Sequence, residues 1–314
     1  MEKLMKLQVP TLCCVFFLLF STCPLYAGTD SPVILHSLKN AVQYSLQKID
    51  RQLIAASQKI SLIGLKGKEA EKILLGLCQA VYGSIDCATV DLNGRMVSVV
   101  PGEYKKYSGA DISDQEQVKR LMKTGKPVLS GIFLPVEGIH AIDIEYPVFL
   151  KDNKKHVGSV SILLQPEPFL ASIIEPIREV SGDFVLVIQG GGRILYGKDG
   201  KKTGSLLFED SLYKSCQSLL SADSLKNIGN KNVNSCELSV SGSEGAGKKY
   251  VFWDSVDLYG TKWQLLVMDI ANRTKEAKFM PGSDRDTHGC IGSAGYSWCE
   301  SKRKCLRIWE EPCP

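Results

Sequence analysis

Ala88-Thr-Val-Asp91, the pair Asn93-Gly94 and Met96-Val-Ser-Val-Val100 make up the stretch that decides the fold. Asn-Gly between two apolar runs is a hairpin signal, because both central residues of the tight turn tolerate positive φ. A polar loop with two tyrosines follows, Glu103-Tyr-Lys-Lys-Tyr107. Gly109-Ala-Asp-Ile-Ser-Asp114 then opens a helix predicted to run to about Lys123. Three more strands are predicted, Pro127 to Phe133, Ala141 to Leu150 and Val157 to Leu164. Two strands, a lateral helical excursion and three strands make one compact antiparallel unit.

The second half repeats this order. Phe184 to Gln189, the turn Gly190-Gly-Gly192 and Arg193 to Tyr196 form another predicted hairpin. A helical excursion is predicted near Ser211 to Leu220, with strands at Cys236 to Val240, Lys249 to Val256 and Thr261 to Asp269. The turn glycine lies 64 residues before the last-strand glycine in the first unit (Gly94, Gly158) and 68 in the second (Gly192, Gly260). Ahead of both, Ser31-Pro32 reads as a helix start, with serine as N-cap and proline in the first turn. Behind it Ile34, Leu38, Val42, Leu46, Ile49, Leu53, Ala56, Ile60 and Ile63 recur every three or four residues. That stripe specifies one helix about 45 Å long, packed along its own domains or shared in a coiled-coil dimer. Gly64 and Gly67 end it, and a second helix is expected from Lys68 to Tyr82.

The wording of the first unit, in Gly109-Ala-Asp-Ile-Ser, Gly125-Lys-Pro-Val, Tyr146-Pro-Val and Gly158-Ser-Val-Ser, resembles the Cache family of extracytoplasmic sensor domains. Two PAS-like modules behind a long helix are the double-Cache arrangement, and the resemblance covers roughly residues 33 to 272. The expected fold class is α+β: a long N-terminal helix, two tandem PAS-like antiparallel sheets and a small disulfide-rich C-terminal tail. The expected boundaries are 1–27 for a signal peptide, 31–82 for the helices, 83–165 for the first, membrane-distal type module and 166–272 for the second. Residues 273–287 form a linker and 288–314 a cysteine-rich tail, whose His288-Gly-Cys-Ile-Gly-Ser-Ala-Gly-Tyr-Ser-Trp-Cys resembles a short tail found on diverse exported bacterial proteins.

The resemblance implies small-molecule binding without chemistry, the ligand lying between the sheet and the segments that cover it. On the cover stand Tyr104, Tyr107, Asp111 and Ser113, and on the sheet Ser130, Asp143 and Tyr146. Strand alternation puts Asp143 and Glu145 on one face and Ile142, Ile144 and Tyr146 on the other, so only one set can line a pocket. Tyrosine offers flat apolar contact with a polar tip, and a carboxylate can hold an amine or another cation. The plain structural alternatives are surface tyrosines and a helix-capping Asp111. In the second module Tyr250, Trp253 and Trp263 read as core. Amino-acid-binding relatives usually carry an arginine with aromatics at the lateral helix and an aspartate in the last strand. Here these stretches read Asp114-Gln-Glu-Gln117 and Ser159-Val-Ser-Ile-Leu-Leu-Gln165, which argues against a free α-amino acid.

Lys3 and Lys6, the apolar run Leu12 to Phe20 and the small residue after Leu25-Tyr read as a secretory signal peptide cleaved at Ala27. Lipidation at Cys23 is the weaker reading, since Phe20-Ser-Thr matches a lipidation box poorly. The expected location is therefore periplasmic or secreted, with no transmembrane segment after cleavage. Of 11 cysteines, eight lie beyond the leader and fall in clusters: Cys78 with Cys87, Cys216 with Cys236, then Cys290, Cys299, Cys305 and Cys313. In an oxidising compartment that suggests local disulfides, two of them in the tail with the pairing open. Zinc on His288 or the thiolates is the rival, but the spacings of 8, 5 and 7 fit no knuckle.

The formal charge of +4, without a long basic block, implies no nucleic-acid partner. No cofactor is implied. No Gly-x-Ser-x-Gly elbow is present, Ser45-Leu-Gln-Lys48 falls within a helix, and Gly190-Gly-Gly-Arg193 precedes a strand where a phosphate loop needs a helix. Asn272-Arg-Thr274 is an acceptor pattern for glycosylation with little meaning in a bacterial periplasm. Of the histidines, His36 is placed on the leading helix and His156 in a solvated turn. The expected function is an exported sensor domain without its own output, acting through a membrane-bound signalling partner. The alternatives are a closed-pocket interaction protein that uses the tail as its contact surface and, remotely, a hydrolase.

Overall fold

The computed structural model describes residues 33–151, 154–181, 184–197, 203–209, 234–240, 247–270 and 285–313. Helix α1 runs from Val33 to Ile63, 31 residues without a break. Its stripe from Ile34 to Ile60 is buried as the periodicity requires, while Ile63 is exposed. The opposite face is polar, so the stripe serves the chain's own core, where it joins the inner faces of both sheets in one continuous cluster. Polar contacts fix the helix along its length. Lys39 meets Asp254 at 2.8 Å, Gln43 bonds the Asp257 backbone through both ends of its amide, and Tyr259 donates to Asp50. Nearer the C-terminal end, Ser57 Oγ donates to the Pro147 carbonyl at 2.7 Å. One half of the helix thus grips the second module and the other half the first.

Helix α2 covers Lys68–Gln79, three residues shorter than expected at its C-terminal end. The first sheet holds β1 (Ser84–Asp91), β2 (Met96–Val100), β3 (Val128–Leu129), β4 (Ile142–Phe149) and β5 (His156–Leu164). The second holds β6 (Phe184–Gln189), β7 (Arg193–Gly197), β8 (Asn234–Val240), β9 (Gly247–Leu258) and β10 (Thr261–Ile270). Their orders are β2-β1-β5-β4-β3 and β7-β6-β10-β9-β8, the same topology twice, with every pairing between named strands antiparallel.

Several expectations need correction. The strand expected over Pro127 to Phe133 pairs only at Val128 and Leu129, with a lone bridge from Phe133 to Ala141. The helix expected from Gly109 begins at Glu116 (α3, Glu116–Thr124), because Asp111 turns its own loop by accepting the Ser113 N–H at 3.0 Å. The tyrosine loop is a 3₁₀ segment, Gly102–Tyr107. Helix α4, Pro166–Ser181, was not expected at all, since three prolines disguise it. His156 begins β5 half-buried, its ring 5.0 Å from that of Phe149, and burial lowers its pKa. The excursion near Ser211 to Leu220 lies outside the described residues.

The sheets differ in what fills their outer faces. In the second, Leu186, Ile188, Ile194, Leu207, Phe208, Val251, Trp253, Leu266 and Met268 pack into an apolar cluster, and Trp263 is wholly buried in the main core. The first carries two smaller apolar clusters there, one around Ala88, Val90, Met96 and Ile112 and one of Ile85, Ala141 and Leu163, with carboxyl groups beside them. Disulfides join Cys78 to Cys87, tying α2 to β1, and Cys290 to Cys305 and Cys299 to Cys313 in the tail. The last two make the tail cysteines disulfide sulfurs and remove the thiolate zinc site. Cys216 lies outside the described residues, and with it the expected bridge to Cys236. The tail's hairpin, β11 (Ser297–Cys299) with β12 (Lys304–Leu306), carries Trp298, stacked on His288 at 4.5 Å.

Candidate functional site

Residues of β1, β4 and β5 alternate between the α1 core and the outer face. On β4 the inward set is Ile142, Ile144 and Val148, joined by Tyr146, and the outward set is Asp143 and Glu145. On β5 the outward set is Ser159, Ser161 and Leu163. A bulge at Ile85 shifts the β1–β5 register and turns Asp86 outward, opposite Leu163. Asp143 pairs with the same Leu163 from the other side. Three acidic side chains therefore enter a face covered by the 3₁₀ segment, α3 and the loop from Ser130 to His140. That loop brings a fourth, Glu137.

Between sheet and cover lies a cavity of about 20 Å³, room for one water. Asp86, Met96, Ile112, Gln115, Val136, Glu137, Asp143, Ser161 and Leu163 line it. Asp86, Asp143 and Glu145 are 1%, 4% and 0% exposed. Asp143 Oδ2 accepts a 3.4 Å bond from Gln117 Nε2, and Ser159 Oγ donates to Glu145 Oε1. Asp143 Oδ1 and Glu145 Oε2 have no hydrogen-bond partner, while Asp86 and Glu137 hydrogen-bond each other. Burial, then the charge of Glu137 and a hydrogen bond with it, push Asp86 up to about 8. Burial raises Glu145 to about 7 against the pull of Ser159. Asp143 is held well above the usual carboxylate range by burial and by the charges of Glu145 and Asp86. Such groups keep their protons near neutrality because the interior offers the ionised form no counter-charge.

The seven residues singled out from the sequence divide. Asp143 lines the cavity. Ser130 is buried at its edge, where its hydroxyl donates to the Gly131 carbonyl and accepts the Asp143 N–H. Tyr104 and Tyr107 are half-buried and stacked 6.3 Å apart, and Tyr104 feels the charges of Asp86 and Glu137. Asp111 is exposed; hydrogen bonds from the Ser113 hydroxyl and N–H, and then its pairing with Arg95 at 3.4 Å, lower its pKa. Ser113 packs against Gly94. Tyr146 points to the opposite face of the sheet, into the core. Tyr146 and Asp143 therefore do not share a pocket. The sequence reading passed over Asp86, Glu137 and Gln117. An aspartate inside the run Ile85-Asp-Cys-Ala88 was the available signal, since a buried strand rarely carries one.

Residues 44–166 match the family model described as HK/GC/chemotaxis protein-like, sensor domain. An extracellular ligand binding receptor from Desulfohalobium retbaense is 31% identical with a TM-score of 0.60, covering 75% of this chain and 39% of that one. This chain thus spans well under half of that protein's length. The ligand-binding domain of the Pseudomonas fluorescens chemoreceptor CtaA, in complex with L-serine, is 16% identical with a TM-score of 0.55, covering 76% and 94%. That of the Pseudomonas aeruginosa amino acid chemoreceptor PctB, in complex with L-Arg, is 13% identical with a TM-score of 0.54, covering 78% and 97%. At such identities these two show the fold alone. No curated protein matches the sequence. Over residues 44–166 the chain carries a sensor domain of the HK/GC/chemotaxis protein-like family, on a double-Cache, PAS-like body with a disulfide-held C-terminal tail.

Proposed function

We propose that this chain is an exported, non-enzymatic sensor domain that binds a small molecule in its first module and hands the bound state to a membrane-bound partner. The observation that carries the reading is the covered face of the first sheet, where buried carboxyl groups gather, Asp143 Oδ1 and Glu145 Oε2 without partners, while the described residues on the second sheet's face form an apolar cluster. A buried polar atom without a partner costs about 1 to 3 kcal/mol, so a fold that retains Asp143 Oδ1 and Glu145 Oε2 in that state has a use for them. Export is supported by the signal-peptide reading, the disulfides and the extracellular nature of the Desulfohalobium receptor. Among the described residues no helix is long and apolar enough to cross a membrane.

The small cavity favours a second reading, in which the pocket stays shut and the tail is the contact surface. A thermal-shift screen of carboxylates, amines, purines and sugars on the mature protein separates the two. A ligand at a hundredfold excess over Kd stabilises the native state by about 2.7 kcal/mol. A clear rise in melting temperature with one chemical class is the expected result. Silence across the whole set would favour the interaction protein.

A further inference from the structure

We infer that the groove between helix α1 and the cysteine-rich tail binds a neutral oligosaccharide. This site is separate from the first-module cavity and independent of what that cavity holds.

The groove has two walls. Residues of α1 from Val33 to Gln47 form one, and Ala294, Arg307, Trp309 and Glu310 of the tail form the other, around a space of about 440 Å³. Small-molecule sites span roughly 300 to 1,000 Å³, and the first-module cavity, with room for one water, falls far below that. The α1 wall lies on the side away from the core stripe. There Ser37, Asn40, Tyr44 and Gln47 recur three or four residues apart, which places them on one face. From Val33 to Gln47 the face runs about 21 Å, longer than a single sugar ring.

The tail wall is fixed by its own bonds. The bridges Cys290–Cys305 and Cys299–Cys313 hold β12, which leads straight into Arg307. The chain then turns, with the N–H groups of Glu310 and Glu311 both donating to the Arg307 carbonyl, at 2.8 and 2.9 Å. Arg307 Nε donates to the Ala294 carbonyl at 3.1 Å, a terminal nitrogen meets Glu310 at 3.0 Å, and the guanidinium lies 4.7 Å from the centre of the Tyr296 ring. Trp309 rests on Gly295, whose φ is 78° and where a Cβ would come 2.0 Å from Cη2 of the indole. Glycine is what lets the ring lie there, half-buried at the edge of the groove.

The lining chooses the ligand. Arg307 and Glu310 neutralise each other, so, His36 apart, the described lining carries no unmatched charge. A carboxylate, phosphate or ammonium finds no counter-charge there. Gln43 is engaged with the Asp257 backbone at both ends of its amide. Asn40 and Gln47 remain, both exposed, and their amides each donate and accept. A sugar hydroxyl does the same, and the C–H face of a sugar ring is a flat apolar surface for Trp309 and Tyr44. A peptide fits less well. The α1 wall is a helix whose backbone bonds are internal, so no strand can add to it, and its apolar stripe is already buried in the core. A proline-rich strand, which seeks paired aromatic rings, is the one rival among peptides.

The test uses the whole mature chain, oxidised, with cellotetraose, chitotetraose and maltotetraose, against succinate, 1,4-diaminobutane and a decaproline peptide. Titration calorimetry and tryptophan fluorescence read the binding. At least one oligosaccharide is expected to bind and to shift the emission. Trp309→Ala should weaken it roughly tenfold or more. Trp309→Phe keeps a ring, so it should retain most of the affinity while losing most of the fluorescence change. Asn40→Ala combined with Gln47→Ala should also weaken binding roughly tenfold. These two positions are exposed on α1, where alanine suits the helix, so this pair decides if the Trp309 variants unfold the tail. Wild-type affinity in both Trp309→Ala and the paired variant would overturn the groove as the site. A sugar lost with Asp143→Asn but kept in Trp309→Ala would belong to the first module, which overturns the groove and leaves the sensor reading standing. Decaproline binding while the sugars are silent would make the groove a peptide site. Silence from all three oligosaccharides, or binding of succinate or the diamine alone, would overturn the saccharide assignment.

Discussion

The side-chain oxygen of Gln189, the last residue of β6 in the second module, accepts the Ile132 N–H of the first module's covering loop at 2.9 Å. Thr261 Oγ1 donates to the Leu129 carbonyl at 2.7 Å just before that loop, and His140 at its far end packs on Gly204. The segment that carries Glu137 over the cavity is therefore anchored on the second module at both ends. Gln189→Ala strips the part-buried Ile132 N–H of its acceptor. A loss of about 1 to 2 kcal/mol in urea unfolding is expected, together with faster amide exchange at Ile132 while α1 is unchanged. Unaltered exchange at Ile132 would mean that the loop does not depend on this contact.

Gly158 sits where β5 crosses β1, with φ of 150°, and a Cβ there would lie 2.1 Å from the Val90 carbonyl oxygen. Backbone cannot yield as a flexible side chain can. Gly158→Ala should cost about 3 kcal/mol or more, while Gly138→Ala, in the open covering loop, should cost only its positive-φ strain of about 1 kcal/mol. Equal melting temperatures for the two variants would contradict the packing described here.

The double architecture was legible because its signals are local and repeated. Asn93-Gly94 marks a hairpin, the stripe of α1 fixes a face, and period-2 alternation on β4 separates Asp143 and Glu145 from Ile142 and Ile144. The acidic site was legible only by half. Asp86 reaches the cavity through a bulge at Ile85, which breaks the alternation a sequence reading relies on, and Glu137 stands in a loop with no period at all. Asp111 and Ser113 drew notice for their motif, yet that motif encodes a turn. Helix α4 was hidden because Pro166, Pro168 and Pro176 read as breakers, although the first two fall in its opening turn, where proline costs little.

The tail should depend on its bridges more than the body does. Cys290 with Cys305 and Cys299 with Cys313 close spans of 15 and 14 residues, each worth about 3 kcal/mol of chain entropy, around a hairpin with little core of its own. Replacing all four cysteines with serine should release residues 285–313 to proteolysis and full amide exchange. The melting of the Cache body should shift by less than 2 °C, on the order of a fraction of a kcal/mol. A large drop would mean that the contact of the tail's 3₁₀ turn, Gly292–Ala294, with α1 supports the helix.

Stability without ligand should fall as pH rises from about 4 to about 8, contrary to the usual behaviour of acidic groups. Asp86 and Glu145 titrate near 8 and 7 in the folded chain, and Asp143 is raised as well, whereas all three ionise near 4 once unfolded. Across that interval the folded state binds more protons than the unfolded state, so the slope of unfolding free energy with pH is negative. The protonated carboxyls' contribution is fully present below about pH 4 and is lost as pH climbs through the folded values. One group contributes up to about 1.4 kcal/mol per pH unit while it alone differs between the states. Asp143→Asn keeps the shape of the buried acid and removes its titration. Its unfolding free energy should vary less steeply than wild type between pH 5 and 8, and the variant should be the more stable protein at pH 8. Urea titrations of both proteins at unit pH intervals measure this directly. Parallel curves would mean that Asp143 holds no proton in the folded state.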